Sequence, residues 1–174
     1  MKRLTGLAVF FFLLAFSGQD LNAQNVKFGH INSDELIQAL PEFDTANVQL
    51  QKFQKELINA LELMQVEYNN KTEAYSKDAK NLTDIVRQTK EQELLDMQRR
   101  IQEFQASAQQ QLQEKQAELF QPIMAKVDKA IKDIGKENGY VYIFTVGQGS
   151  SLVYFDETKS TNIMPLAKAK LGVK

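Results

Sequence analysis

The 174-residue chain has no cysteine and no tryptophan, and only three prolines and one histidine. Each shortage excludes something. Without cysteine there is no thiol nucleophile, no thiolate metal ligand and no disulfide. The fold must then be held by apolar burial, helix packing or self-association. With His30 as the sole imidazole, a metal site that needs several ligands has little to draw on, and His30 reads as a partly buried strand residue. No Gly-rich dinucleotide fingerprint and no P-loop occurs; Gly147-Gln148-Gly149 is a lone GxG and reads as a hairpin turn. A surplus of one charge sign is missing too, since 21 Lys and Arg stand against 22 Asp and Glu. That balance argues against a nucleic-acid binder, which normally carries a strong basic excess. Aromatic residues are 9% and hydrophobic residues 43%, so a core is expected, but a modest one.

The one long apolar run is Leu7–Phe16, preceded by Lys2-Arg3 and followed by small and polar residues ending at Ala23. It has about half the ~20 residues a membrane-spanning helix needs, so residues 1–23 are predicted to be a secretory signal peptide cleaved after Ala23 rather than an anchor. Losing Lys2, Arg3 and Asp20 leaves 19 basic and 21 acidic residues. The chain is therefore expected to be exported, with no stable membrane insertion. Without a Cys the chain cannot be anchored as a lipoprotein.

Glycine and proline map the remainder. Between Pro41 and Pro122 lie 80 residues with neither, among them 15 Gln, 14 acids and 10 bases. Loops need turn residues, so this stretch is predicted to be nearly all helix with one short turn. Leu50, Phe53, Leu57, Leu61, Met64 and Tyr68 recur at spacings of three and four, as do Leu94, Met97, Ile101, Phe104, Ala108 and Leu112. Such narrow stripes mark coiled-coil seams, and a lone helix would leave its stripe in water. Two helices, about 43–79 and 83–137, are therefore expected to pair antiparallel, turning near 78–83. Asn81, with Asp84 three residues on, reads as a capping box opening the second. Pro122 lies within the second helix where the first has run out, and predicts a bend between a projecting hairpin (43–121) and a base (24–42 and 122–174).

The base is read from both ends of the chain. Val26–Ile31 suits a short strand, and Ser33 opens a short helix that Pro41 ends. Gly135-Lys136-Glu137-Asn138-Gly139 stops the long helix. Tyr140–Val146 is a strand apolar on both faces, and Ser151–Phe155 returns on it as a β-hairpin. Ile163–Leu171 forms a last helix with Pro165 in its first turn. The expected fold class is α+β, mainly α. So small a base is marginal as an independent core, and a strand apolar on both faces needs covering, which points to self-association.

No catalytic or cofactor constellation emerges, and the chain is expected not to be an enzyme. Carboxylates interleave with Lys and Arg as solvated helix faces do, and Arg99-Arg100 reads the same way. Asn70-Lys71-Thr72 and Asn81-Leu82-Thr83 match the glycosylation sequon, a short motif common by chance. Tyr68, Tyr75, Leu82, Ile85 and Val86 cluster at the far end of the hairpin, where only two helices meet. They either zip the hairpin or offer weak apolar contacts to a client.

The order of these features is specific. Val26-Lys27-Phe28-Gly29-His30-Ile31-Asn32 as first strand, a Gln-rich hairpin, Leu119-Phe120-Gln121-Pro122-Ile123, Ala130-Ile131-Lys132, and Glu137-Asn138-Gly139-Tyr140 entering a strand together resemble the Skp/OmpH family of periplasmic chaperones across residues 25–172. The resemblance implies a homotrimer whose small β-barrel body carries helical tentacles around a cavity. Unfolded outer-membrane proteins are held there without ATP until insertion. Candidate trimer-body residues are then Phe28, Ile31, Tyr140, Tyr142 and Phe144. Two departures stand out. The familiar members are strongly basic, whereas residues 42–121 here carry 10 bases and 14 acids, so no lipopolysaccharide site is carried over. The family often caps its last helix with Thr; here Met164 precedes Pro165, and the cap is missing or shifted to Asn162. The alternative class is an envelope coiled-coil spacer or adaptor with one defined partner.

Overall fold

A computed structural model describes residues 26–173, so the N-terminal segment read as a signal peptide lies outside the described residues. The element order is β1 (Lys27–Ile31), α1 (Ser33–Gln38), α2 (Pro41–Asp78), a 3-10 turn (Ala79–Asn81), α3 (Asp84–Asn138), β2 (Tyr140–Thr145), β3 (Ser160–Asn162) and α4 (Met164–Leu171). The fold is mainly α with one small sheet.

Helices α2 and α3 form the antiparallel hairpin. Their 38 and 55 residues correspond to lengths of about 57 and 82 Å at 1.5 Å per residue. Their ends lie within a few residues of the boundaries expected from periodicity. The seam is the expected stripe: Met97 and Ile101 are buried, while Leu50, Phe53, Leu57, Leu61, Met64, Leu94, Phe104 and Leu112 are half-buried. Two helices cover each other on one side only, so few positions are fully enclosed.

Three local expectations are corrected at the helix ends. Asn81 does not cap the second arm: it ends the 3-10 turn, and Thr83 is the N-cap residue without a side-chain capping bond. Pro41 does not end the first short helix, which stops at Gln38; Pro41 opens α2, where its missing N–H is no loss. Gly135 lies inside α3, and Gly139 (φ 69°) carries the stop, its N–H donating to the Gly135 carbonyl. Asn162 does serve the last helix, its side chain accepting from the Met164 N–H at 2.9 Å.

The sheet order is β2-β1-β3, with both pairings parallel. This overturns the expected β-hairpin. After the turn at Gly147, residues 152–156 pair with no strand, and the third strand is the polar Ser160–Asn162. The reason lies downstream. Ile163 and Ala167 are both 0% exposed, and the Ile163 N–H donates to the His30 carbonyl at 3.0 Å. Burying them draws the chain across to the far side of β1, a pull that a hairpin on β2 would oppose. The crossing is fixed by Asp156, whose carboxylate accepts from the Thr158 N–H and hydroxyl at 3.0 and 2.6 Å.

One face of the sheet rests on the helices. Ile31, Leu36, Leu40, Ala46, Ile123, Val127, Ile134, Ile163 and Ala167 form the buried core, which ties the root of the hairpin to the base. Gly29 permits the close approach: a Cβ there would meet Ile163, Ile143 and Tyr140 side chains at 3.1–3.3 Å. A bulge between Lys27 and Phe28 shifts the register. It explains how Tyr140 and Ile143, three residues apart, both reach this face.

Candidate binding surfaces

Among the described residues no helix covers the other sheet face. Phe28, Tyr142 and Phe144 stack on it, with ring centroids 6.0–6.2 Å apart and planes within 29°. His30 and Phe155 extend the layer, their rings 4.7 Å apart, and His30 Nδ1 lies 2.9 Å from the Ser160 hydroxyl. His30 is thus a strand residue with a hydroxyl partner. Among the described residues no cluster of His, Asp and Glu could hold a metal ion. Of the five body residues singled out from sequence, Phe28, Tyr142 and Phe144 meet on this open face. Ile31 (1% exposed) and Tyr140 turn the other way into the single-chain core. The bulge is the part no alternation pattern could reveal.

Along the hairpin the charged groups largely satisfy one another within a helix, as Lys71–Glu67, Lys77–Glu73 and Arg99–Asp96 do. Arg99 also faces Glu103 at 3.8 Å, so it is held by its own helix. Two links join the arms. Near the tip, the Tyr75 hydroxyl donates to Glu91, and this bond pushes the phenol above its ordinary range. At the root, Lys126 pairs with Glu42 and lowers the Glu42 carboxyl. Lys170 fastens α4 to α3 through Glu137 at 2.6 Å.

The five tip residues divide. Tyr68, Tyr75 and Leu82 are half-buried between the arms, whereas Ile85 is 79% exposed and Val86 is exposed beside it. The first three zip the hairpin and the last two face water. Sequence reasoning missed further exposed apolar residues on the arms: Val48, Ile58, Leu63, Val66 and Leu95. The signal was present. Val66 lies two residues from both Met64 and Tyr68, and two residues are ~200° of helix, so it sits opposite the seam. Val48 bears the same relation to Ala46 and Leu50.

A two-arm coil on a small base has the outline the sequence suggested, and the parallel sheet and outward apolar side chains are what the structure adds. A family model described as outer membrane protein (OmpH-like) matches residues 27–171, from the first residue of β1 to the last of α4. The chain belongs to the OmpH-like family. No curated protein matches it. OmpH-like membership is consistent with a periplasmic chaperone role and with contact to outer-membrane proteins. No described helix is long and apolar enough to cross a membrane.

Proposed function

We propose that this protein is an ATP-independent periplasmic holdase. It binds unfolded outer-membrane proteins between helical tentacles of a homo-oligomer, a trimer by family resemblance, and keeps them from aggregating before insertion. The observation that carries the reading is the row of apolar side chains facing water along both arms: Val48, Ile58, Leu63 and Val66 on α2, with Ile85 and Leu95 on α3. The arms need none of them for pairing, because the seam is already filled. Each offers a small contact worth about 25 cal/mol per Å² of apolar area covered. Many such contacts retain a chain by multivalency without imposing one bound structure. The open aromatic face of the base supports association of copies through their bodies, which would set several hairpins side by side.

The test is aggregation of a denatured outer-membrane β-barrel diluted from urea, with the mature chain added at near-stoichiometric ratio and no nucleotide. Suppression of light scattering is expected. No suppression at either low or physiological salt would overturn the proposal. The spacer reading predicts instead a dimer that leaves the scattering unchanged.

A further inference from the structure

The two sides of the helical hairpin differ in chemistry. Residues three and four apart form rows along each flank of the seam. On one flank of α2 stand Gln51, Gln54, Ile58, Gln65 and Asn69. On one flank of α3 stand Gln98, Gln102, Gln105, Gln109, Gln113 and Gln116, at spacings of three and four. All are exposed, and neither row holds a charge. The opposite flanks carry Glu56, Glu67 and Lys71 on α2, and Glu93, Arg100 and Glu118 on α3. Lys71 and Ala74 share a crevice with Glu93 across the seam, so the charged flanks lie on one side of the hairpin. The amide rows therefore lie together on the other.

The Tyr75–Glu91 and Lys126–Glu42 links fix the register of the arms. They put Gln51 level with Gln116 and Asn69 level with Gln98, so both rows cover the same stretch of about 27 Å. Between the rows the seam is the floor of a groove, where Leu61 and Leu112 are half-buried. The row amides are also unspent. Gln65 donates to Asn69 at 3.2 Å, and the other members have no side-chain partner among the described residues. Glutamines off the rows behave differently: Gln92, Gln110 and Gln111 bond to Asp96, Glu114 and Ser107 of their own helix.

A carboxamide is chemically a side-chain copy of the peptide group, neutral, with N–H donors and a carbonyl acceptor. Two rows of it match a polypeptide main chain, whose groups repeat whatever its side chains are. A nucleic acid or an anionic lipid surface would need cations, which these rows lack. We infer that this groove holds an extended segment of an unfolded chain, about eight residues long, by its main-chain amides. The inference rests on the holdase reading proposed above and names the surface used and the group recognised. Water competes for each bond, so a single one contributes little. The floor leucines and Ile58, 49% exposed, exclude part of that water, and the number of bonds supplies the retention. Helical rows repeat about every 5.4 Å, whereas residues on one face of a strand repeat about every 6.8 Å. The mismatch keeps any one register from locking, so the segment stays able to slide.

The test uses the mature chain and a fluorescently labelled, urea-denatured outer-membrane β-barrel as probe. Gln102, Gln105, Gln109 and Gln113 are changed together to alanine, a better helix former, so helicity should hold. Affinity for the barrel should fall about tenfold, as several weak bonds lost together imply. A version with four methionines keeps the side-chain length without the amide and should bind as weakly. A control replaces Lys52, Glu56, Glu67 and Lys71 by alanine, removing two ion pairs at no change in net charge, and should bind as the unaltered chain does. Unchanged affinity in the alanine variant, equal losses in variant and control, or affinity restored by methionine overturns main-chain capture and leaves the holdase reading intact. An unaltered chain that does not bind the barrel overturns both. A smaller sedimentation mass for the alanine variant shows that the rows join copies instead, and also overturns the inference. If helicity falls, a benzophenone maleimide decides, attached to Gln105→Cys or Arg100→Cys in a chain with no other thiol. Photolinking to the barrel from position 105 and little from position 100 is expected; equal or reversed linking overturns the inference.

Discussion

Gly29 does more for the base than any apolar residue of similar size could. It sits where β1 passes beneath Ile163, Ile143 and Tyr140, and a Cβ there would crowd a side-chain atom of each at only 3.1–3.3 Å. Overpacking of this kind costs about 1–3 kcal/mol. Gly29→Ala should lower the urea midpoint of the mature chain by a corresponding amount, and an unchanged midpoint would mean the base yields more readily than its packing implies. The position is invisible in the sequence, where glycine after Phe28 reads only as a weak place in a strand. His30 shows the opposite. Its lone occurrence and strand setting already pointed to a structural residue, and the Ser160 hydroxyl and Phe155 ring supply the partners.

The hairpin was legible to within a few residues because a two-helix coil is decided by a one-dimensional pattern. Its anchoring is less local. Glu42 and Lys126 are 84 positions apart and meet at the root, near the edge-to-face pair Phe43–Phe120 at 5.5 Å. Lys126 holds the Glu42 carboxyl below its ordinary 4.5. A lowered folded-state value contributes stability that is present above the unfolded value and is lost as pH falls through the folded one. Both groups are exposed, so solvent screens the pair and the effect is small. Thermal melts between neutral and acidic pH should show the wild type losing slightly more stability on acidification than Lys126→Met. Equal losses would mean the pair contributes nothing. At Pro122, α3 runs on without interruption from Asp84 to Asn138. The proline lacks an N–H for the Glu118 carbonyl, so Pro122→Ala restores one helical bond and should raise the melting temperature unless a bend there is itself stabilising.

For the whole molecule, the near balance of charge bears on how a client would be held. Residues 42–121 carry 10 bases and 14 acids, and the described ion pairs lie mostly within single helices. Client capture through apolar contacts should therefore change little between low and physiological salt, where steering by a basic surface would fade over a Debye length of about 8–10 Å. Aggregation suppression measured across that range is the check, and a steep loss with salt would assign the capture to charge. The base contrasts with the hairpin. Its core is a handful of residues from both ends of the described chain, and its outer face is a layer of aromatic rings that no described helix covers. That combination suits a body completed by other copies.

The sequence alone determined the two arms, their seam and their length. Those depend on a repeat of three and four and on eighty residues without glycine or proline, and both can be read one residue at a time. Only the tertiary structure decided how the base closes. A strongly β-forming Ser151–Phe155 is left unpaired, and a polar Ser160–Asn162 becomes the strand. Burial of Ile163 and Ala167 under β1 outweighs the local preference for a hairpin. Such long-range burial leaves no period in the sequence, and the projecting hairpin first recognised from its pattern is held to its base by it.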